Sequence, residues 1–220
     1  MPVRKNTQNR ARVFLVDDHP IVRRGFQLLI SLEPDLSVCG EADSGPAAFE
    51  KMVSLKPDVA VVDLALKSSS GLELIKQARP QLPDMKILVF TMRAESLYAE
   101  RALRAGANGY ITKEEGAEKA IEAIRLLIQG KPYFSPQLAG FMMARLSGKA
   151  MDRVPFESLS DRELEIMEMI GNGLGSREIA EKLHISIKTI ESHREHIKAK
   201  LGLKRASDLV NYAFSWVHGK

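Results

Sequence analysis

One cysteine stands in 220 residues, Cys39. That excludes an internal disulfide framework and a metal site built on several thiolates. Cys39 itself lies in a strand-like segment and reads as a small buried hydrophobe. No apolar run reaches the roughly 18 residues that a membrane span needs. The stretch from Arg4 to Arg10 is polar and basic, with no apolar segment behind it, so it does not read as a secretion signal. The expectation is a cytoplasmic protein with a short disordered tail. A large excess of one charge is missing too. The net charge of +4 favours an anionic partner only weakly, so the distribution of charge carries more weight than its sum.

What the chain has is an ordinary globular composition, 45% hydrophobic and 27% charged. Its length suits two small domains or one large one. From residue 11 to 130, short apolar runs alternate with helical periodicity. The runs are Arg12–Val16, Leu36–Gly40, Val59–Val62, Met85–Thr91 and Gly109–Thr112. Helical patterns follow each: from Pro20, with Ile21, Val22, Phe26, Leu28, Leu29 and Leu32 at helical spacing; Ser44–Leu55; Leu72–Ala78; Ser96–Ala105, closed by Gly106; and Ala117–Ile128, closed by Gly130. Five strands alternating with five helices predict a doubly wound, five-stranded parallel sheet of the flavodoxin-like order. Residues 131–156 are punctuated by Pro, Gly and Ser and read as a linker holding a short helix around Leu138–Leu146. Residues 157–220 read as a small all-α domain of four helices. Ser160-Asp161-Arg162-Glu163 forms a capping box, and Ser176–Leu183, His184-Ile185-Ser186 and Ile187–Leu201 have helix-turn-helix geometry.

Val59-Ala60-Val61-Val62 runs directly into Asp63. A continuous apolar run marks a strand buried on both faces, and open α/β sheets bind ligands at the carboxyl ends of their strands. An Asp there also serves as a cap or turn former. The same edge, however, gathers Asp17 and Asp18 after the first strand, Thr91 after the fourth and Lys113 after the fifth. Neighbouring carboxylates repel unless a cation sits among them, and carboxylate oxygens with water suit Mg²⁺. Thr91 offers a hydroxyl, and Lys113 a point charge for a phosphoryl oxygen. These are the parts of phosphoryl transfer to a carboxylate.

With Val16-Asp17-Asp18-His19-Pro20, Val62-Asp63-Leu64, Phe90-Thr91 and Tyr110-Ile111-Thr112-Lys113, residues 11–130 resemble the receiver domain of bacterial two-component response regulators. Residues 157–220 resemble the LuxR-type helix-turn-helix, and the whole resembles the NarL/FixJ type. The resemblance implies phosphorylation of Asp63 by a sensor histidine kinase. It also implies Mg²⁺ held by Asp18, Asp63 and the Ala65 carbonyl, with Asp17 acting through water, and a switch pair of Thr91 and Tyr110. Leu66-Lys67 departs from the Met-Pro that receivers often carry there, while Gly71 keeps the family's glycine. Glu114 follows Lys113 where a proline is common.

On the Ile187–Leu201 helix, Ile190, Ile197 and Leu201 form the core stripe. Lys188, Glu191, Ser192 and Glu195 are expected to face base edges. Arg194, Lys198, Lys200, Lys204 and Arg205 are expected to position the helix on phosphates, and Thr189 is a further expected DNA contact. Lys188, Arg194, Lys198, Lys200, Lys204 and Arg205 against Glu191 and Glu195 leave four positive charges on this element, although residues 157–220 balance ten basic against ten acidic side chains. Thr189-Ile190-Glu191-Ser192-His193 and Lys200-Leu201-Gly202 match the LuxR pattern. His193 reads as a packing or phosphate-contacting histidine, with no second metal ligand at suitable spacing.

The expected function is a DNA-binding transcription regulator switched by phosphorylation of Asp63. It accepts and can release a phosphoryl group without being an enzyme in the usual sense. Its expected partners are a kinase, a double-stranded operator and a second copy of itself, and no membrane. Two competing readings have less behind them. A phosphohydrolase would want a second carboxylate two residues after the nucleophile, where Ala65 stands, and a flavin module would want a phosphate-cradling loop where Asp17-Asp18 stand. The third alternative is a receiver acting purely by protein contact.

Overall fold

The computed structural model describes residues 10–66, 69–136, 138–140 and 158–218. The expected tail before Arg10, Lys67 and Ser68 in the departing loop, most of the expected linker with the later part of its helix, and Glu157 lie outside the described residues. The chain divides into two compact units, residues 1–147 and 148–220.

In the first unit β1 (Ala11–Val16), β2 (Leu36–Ala42), β3 (Val59–Val62), β6 (Lys86–Thr91) and β7 (Gly109–Thr112) form one parallel sheet in the order β2-β1-β3-β6-β7. The helices are α1 (Pro20–Ser31), α2 (Gly45–Leu55), α3 (Gly71–Gln81), α4 (Glu95–Ala105) and α5 (Ala117–Ile128). Helices α1 and α5 pack together, while α2, α3 and α4 form a row. Alternate strand residues Val13, Leu15, Val59, Val61, Leu88 and Phe90 share a core with Phe26, Ile30, Ile121, Ile124 and Leu127 of α1 and α5. Phe26 meets Phe90 edge-to-face, centroids 5.0 Å apart. Strand alternation leaves Phe14, Val16, Ala60, Val62, Ile87 and Val89 for the opposite face, and all of them are buried.

Three features depart from expectation. Ala65–Leu66 (β4) and Ser69–Ser70 (β5) pair antiparallel, a two-residue ladder too short to show periodicity in sequence. On α1 the inward stripe is Val22, Phe26 and Ile30. Ile21, Leu28 and Leu32, which share its spacing, are 77%, 66% and 73% exposed. Helix α3 runs past Ala78 to Gln81 because the Arg79 guanidinium takes up the carbonyls of Leu82, Pro83 and Met85 beyond its end. After α5 the chain stays on the sheet: the Tyr110 amide donates to the Tyr133 carbonyl at 2.9 Å, and the Tyr133 amide to Asn108 at 3.2 Å.

The second unit holds α6 (Asp161–Gly171), α7 (Ser176–Leu183), α8 (Ile187–Leu201) and α9 (Ala206–His218). Both capping-box bonds form, Ser160 N to Glu163 Oε2 at 2.6 Å and Glu163 N to Ser160 Oγ at 3.3 Å. Leu164, Met167, Ile170, Ile179, Ile190, Ile197 and Leu209 make the core. Gly171 is where α6 and α9 touch: a Cβ there would lie 2.5 Å from the Ala213 carbonyl oxygen.

Candidate functional site: a carboxylate edge and an exposed helix

Sheet register assembles the edge. Val16 pairs with Val62, Val62 with Val89, and Thr91 with Thr112. The residues that follow, Asp17, Asp63 and Lys113, therefore leave the sheet side by side, and Thr91 ends β6 among them. The Asp63 amide donates to the Val16 carbonyl at 2.8 Å, fixing the side chain's origin. Gly71 presses against the same peptide: a Cβ there would stand 2.1 Å from the Asp63 carbonyl oxygen. Its amide donates to Leu64 at 3.0 Å. Any other residue would push the carboxylate-bearing loop away, which gives the glycine its reason.

Asp63 is 2% exposed. Its Oδ1 accepts from the Thr91 hydroxyl at 2.6 Å and from the Ala65 amide at 3.0 Å, so the Ala65 contact seen on Asp63 is made by the amide. Its Oδ2 accepts from Lys113 Nζ at 2.5 Å, and the same ammonium stands 2.6 Å from Asp17 Oδ2. Burial pushes the Lys113 ammonium down, but the two carboxylates outweigh it and hold it above the ordinary lysine range. Thr91 is fully buried, and the buried Tyr110 donates its hydroxyl to the Arg93 carbonyl at 2.9 Å, two residues beyond Thr91.

His19 is a participant that the sequence pattern did not single out. Its amide caps Asp17 Oδ1 at 2.8 Å, and its Nδ1 lies 2.7 Å from Asp18 Oδ1. Its adjacency to two carboxylates was the available signal. Asp17 Oδ2 and Asp18 Oδ1 are buried yet accept no aligned hydrogen bond among the described residues; Asp17 Oδ2 meets the Lys113 ammonium and Asp18 Oδ1 the His19 ring nitrogen. Ligand atoms of Asp17, Asp18, His19 and Asp63 all lie within 4.8 Å of one another. Buried, under-satisfied carboxylate oxygens converging on one point can hold a metal ion.

On α8, Ile190 and Ile197 are fully buried, and Lys188, Thr189, Glu191, Ser192 and Glu195 are exposed. Ser186 caps the helix by accepting from the Thr189 amide at 3.1 Å, and the two hydroxyls lie 2.8 Å apart. The expected basic residues divide. Lys188 makes no ion pair among the described residues. Arg194 lies 3.9 Å from Glu191, Lys198 2.9 Å from Glu195, and Lys200 2.6 Å from Glu163. His193 does have neighbours of metal-binding type: one ligand atom each of Glu163, His193 and His196 lie within 4.8 Å of one another. His196, three residues on, was visible in the sequence and corrects the expectation of no second ligand at suitable spacing; only Glu163 was hidden, because it sits on a different helix.

The response regulator receiver domain family matches residues 13–125, and the bacterial regulatory proteins of the luxR family match residues 157–213. The oxygen regulatory protein NreC of Staphylococcus carnosus is 38% identical over 208 residues, covering 92% of this chain and 96% of its own. RcsB of Salmonella enterica serovar Typhimurium, solved bound to the promoter rprA in the presence of the phosphomimetic BeF3−, is 28% identical with a TM-score of 0.62 and covers 94% of this chain and all of its own. A structure of two RcsB dimers bound to two parallel DNAs aligns at 27% identity and a TM-score of 0.56, over 94% of this chain and 99% of that one.

Proposed function

The chain belongs to the two-component response regulators of the NarL/FixJ type, phosphorylation-dependent and DNA-binding transcription regulators; on that premise we propose that Asp63 is the acceptor whose phosphorylation controls the α8 helix. The observation that carries this is the buried Asp63 carboxylate with Thr91 on one oxygen and Lys113 on the other. In transfer from a sensor histidine kinase, an Asp63 oxygen bonds to phosphorus as the phosphorus–nitrogen bond to the kinase histidine breaks. Lys113 and Thr91 then exchange the carboxylate for phosphoryl oxygens. Displacement of Thr91 is passed to Tyr110 through the Arg93 carbonyl that its hydroxyl holds. Asp18, Asp63 and the Ala65 carbonyl would hold Mg²⁺, with Asp17 through water. The ion supplies charge neutralisation between acceptor and phosphoryl group. The protein is not a classical enzyme; slow loss of its own phosphoryl group is the extent of its chemistry.

Residues 11–130 are the proposed receiver, 131–156 the linker and 157–220 the DNA-binding domain. Lys188, Glu191, Ser192 and Glu195 are the proposed groove-facing residues of α8, with Arg194, Lys198 and Lys200 toward the backbone and Thr189 as a further DNA contact. Two copies on a double-stranded operator are the proposed active form, in the cytoplasm where the kinase has its ATP. Among the described residues no helix is long and apolar enough to cross a membrane. The test is a DNA shift assay over a range of salt, with and without a small phosphodonor. The expected result is that the phosphodonor tightens binding by the wild type, and that Asp63→Ala binds at the unstimulated level and does not respond. A phosphodonor response in Asp63→Ala equal to that of wild type would sink the proposal.

A further inference from the structure

We infer that Glu163, His193 and His196 form a transition-metal site, best suited to Zn²⁺, that ties helix α8 to the first turn of α6. Their ligand atoms already lie within 4.8 Å of one another. His193 and His196 are three residues apart on α8 and so project from the same side of it. Glu163 comes from the facing helix. It is 4% exposed, and the Ser160 amide at 2.6 Å fixes one of its oxygens, the kind of outer contact that orients a metal-bound carboxylate. Two imidazoles, one carboxylate and an open fourth position are a zinc donor set. Mg²⁺ and Ca²⁺ want oxygen throughout.

Two cations oppose the ion. Lys200 Nζ occupies the Glu163 carboxylate at 2.6 Å, and Arg162 is close, although it is paired with Glu165 at 2.7 Å. The Lys200 side chain is 39% exposed, so its ammonium can leave for water while the metal takes over its carboxylate. In a tetrahedral site with bonds of about 2.0–2.1 Å, ligand atoms stand about 3.3 Å apart. The exposed His196, unconstrained by packing, supplies the closing movement. Displacing an ion pair selects for a strongly nitrogen-seeking metal, which again favours Zn²⁺ over the abundant hard cations.

The test is Zn²⁺ binding to the full chain in excess Mg²⁺, by competition with a chelating dye, alongside the visible spectrum of the Co²⁺-loaded protein. Wild type, His196→Asn, Glu163→Gln and His19→Ala are compared; the last removes the nitrogen ligand of the receiver's own acidic cluster. The expected result is one Zn²⁺ per wild-type chain and a four-coordinate Co²⁺ spectrum. Binding should weaken by at least about tenfold in His196→Asn and Glu163→Gln, and remain unchanged in His19→Ala. His196 is exposed, so His196→Asn decides the matter even if Glu163→Gln proves unfolded by circular dichroism. Wild-type affinity in His196→Asn, loss in His19→Ala, a six-coordinate Co²⁺ spectrum, or no zinc uptake at all would overturn the inference.

Discussion

Replacing Lys113 with methionine removes the ammonium that stands 2.5 Å from Asp63 Oδ2 and 2.6 Å from Asp17 Oδ2, while keeping a side chain of similar length. The two carboxylate side chains are only 2% and 7% exposed, so solvent cannot replace the lost partner. Stripping one member from a buried pair costs about 3–5 kcal/mol. With a urea m-value of about 2 kcal/mol/M, the midpoint in metal-free buffer at neutral pH falls by roughly 2 M. On the proposed Mg²⁺ site, added Mg²⁺ should restore much of it, because the ion would neutralise the same oxygens. On an Asp63→Asn background the loss shrinks to less than half, since one of the stranded charges is gone. Far-UV circular dichroism is the readout. The single tryptophan, Trp216, lies on α9 and reports the other unit. The pH dependence carries a sign. Because its folded pKa is raised, the lysine stabilises the fold fully below its ordinary value of 10.5 and loses that effect as pH rises through the higher folded value. The gap between wild type and Lys113→Met is therefore constant from neutral pH to about 10 and closes above. A midpoint unchanged by Lys113→Met, or an equal drop on the Asp63→Asn background, would refute the idea that this ammonium compensates the carboxylate cluster.

Gly71→Ala drives a methyl group into the Asp63 carbonyl and should cost about 1–3 kcal/mol in urea unfolding as well as slowing phosphoryl uptake. Gly25→Ala, which meets nothing within 4 Å, serves as the stabilising control on α1. Glu163→Gln changes the acid limb of the second unit. Burial raises the Glu163 pKa, but the Lys200 ammonium and the Ser160 donors outweigh it and hold the pKa below the ordinary 4.5. The wild type therefore keeps this stabilisation above that value and loses it as pH falls through the lower folded one; Trp216 fluorescence should show the limb flattened in the variant. Lys188→Ala, at a proposed groove-facing position, should cost about 1–3 kcal/mol of binding and relax specificity at the base it reads. Lys200→Ala should leave the salt slope of DNA binding nearly unchanged, because its charge is already spent on Glu163.

Elements whose boundaries rest on local chemistry were legible in the sequence. Ala117–Ile128, Ser176–Leu183 and Ala206–His218 fall where periodicity, caps and glycines placed them. The edge carboxylates were legible because a strand's end and its next residue are neighbours in the chain. What stayed hidden depends on groups far apart in sequence. Why Gly71 is required follows only from its contact with the Asp63 carbonyl. Which of the periodic apolar residues on α1 turn inward is settled by α5 and the sheet, so Ile30 is buried while Leu28 and Leu32 are not. The Lys200–Glu163 pair spans 37 positions, and no pattern along α8 announces it.

That pair also changes how the basic helix should be valued. Six cations against two glutamates looked like a surplus of four on one element. With Arg194, Lys198 and Lys200 each held by a carboxylate, only Lys188, Lys204 and Arg205 stay outside ion pairs among the described residues. With Lys188 facing the groove, Lys204 and Arg205 as phosphate contacts give a salt slope of only about −1.8, against about −3.6 for two copies acting together. The α8 segment of a single copy thus has little electrostatic hold of its own. On the proposed reading, a receiver that brings two copies together gains more than one that merely uncovers a helix. On that reading, the charge pairing on α8 weakens the hold of a lone copy on DNA at physiological salt.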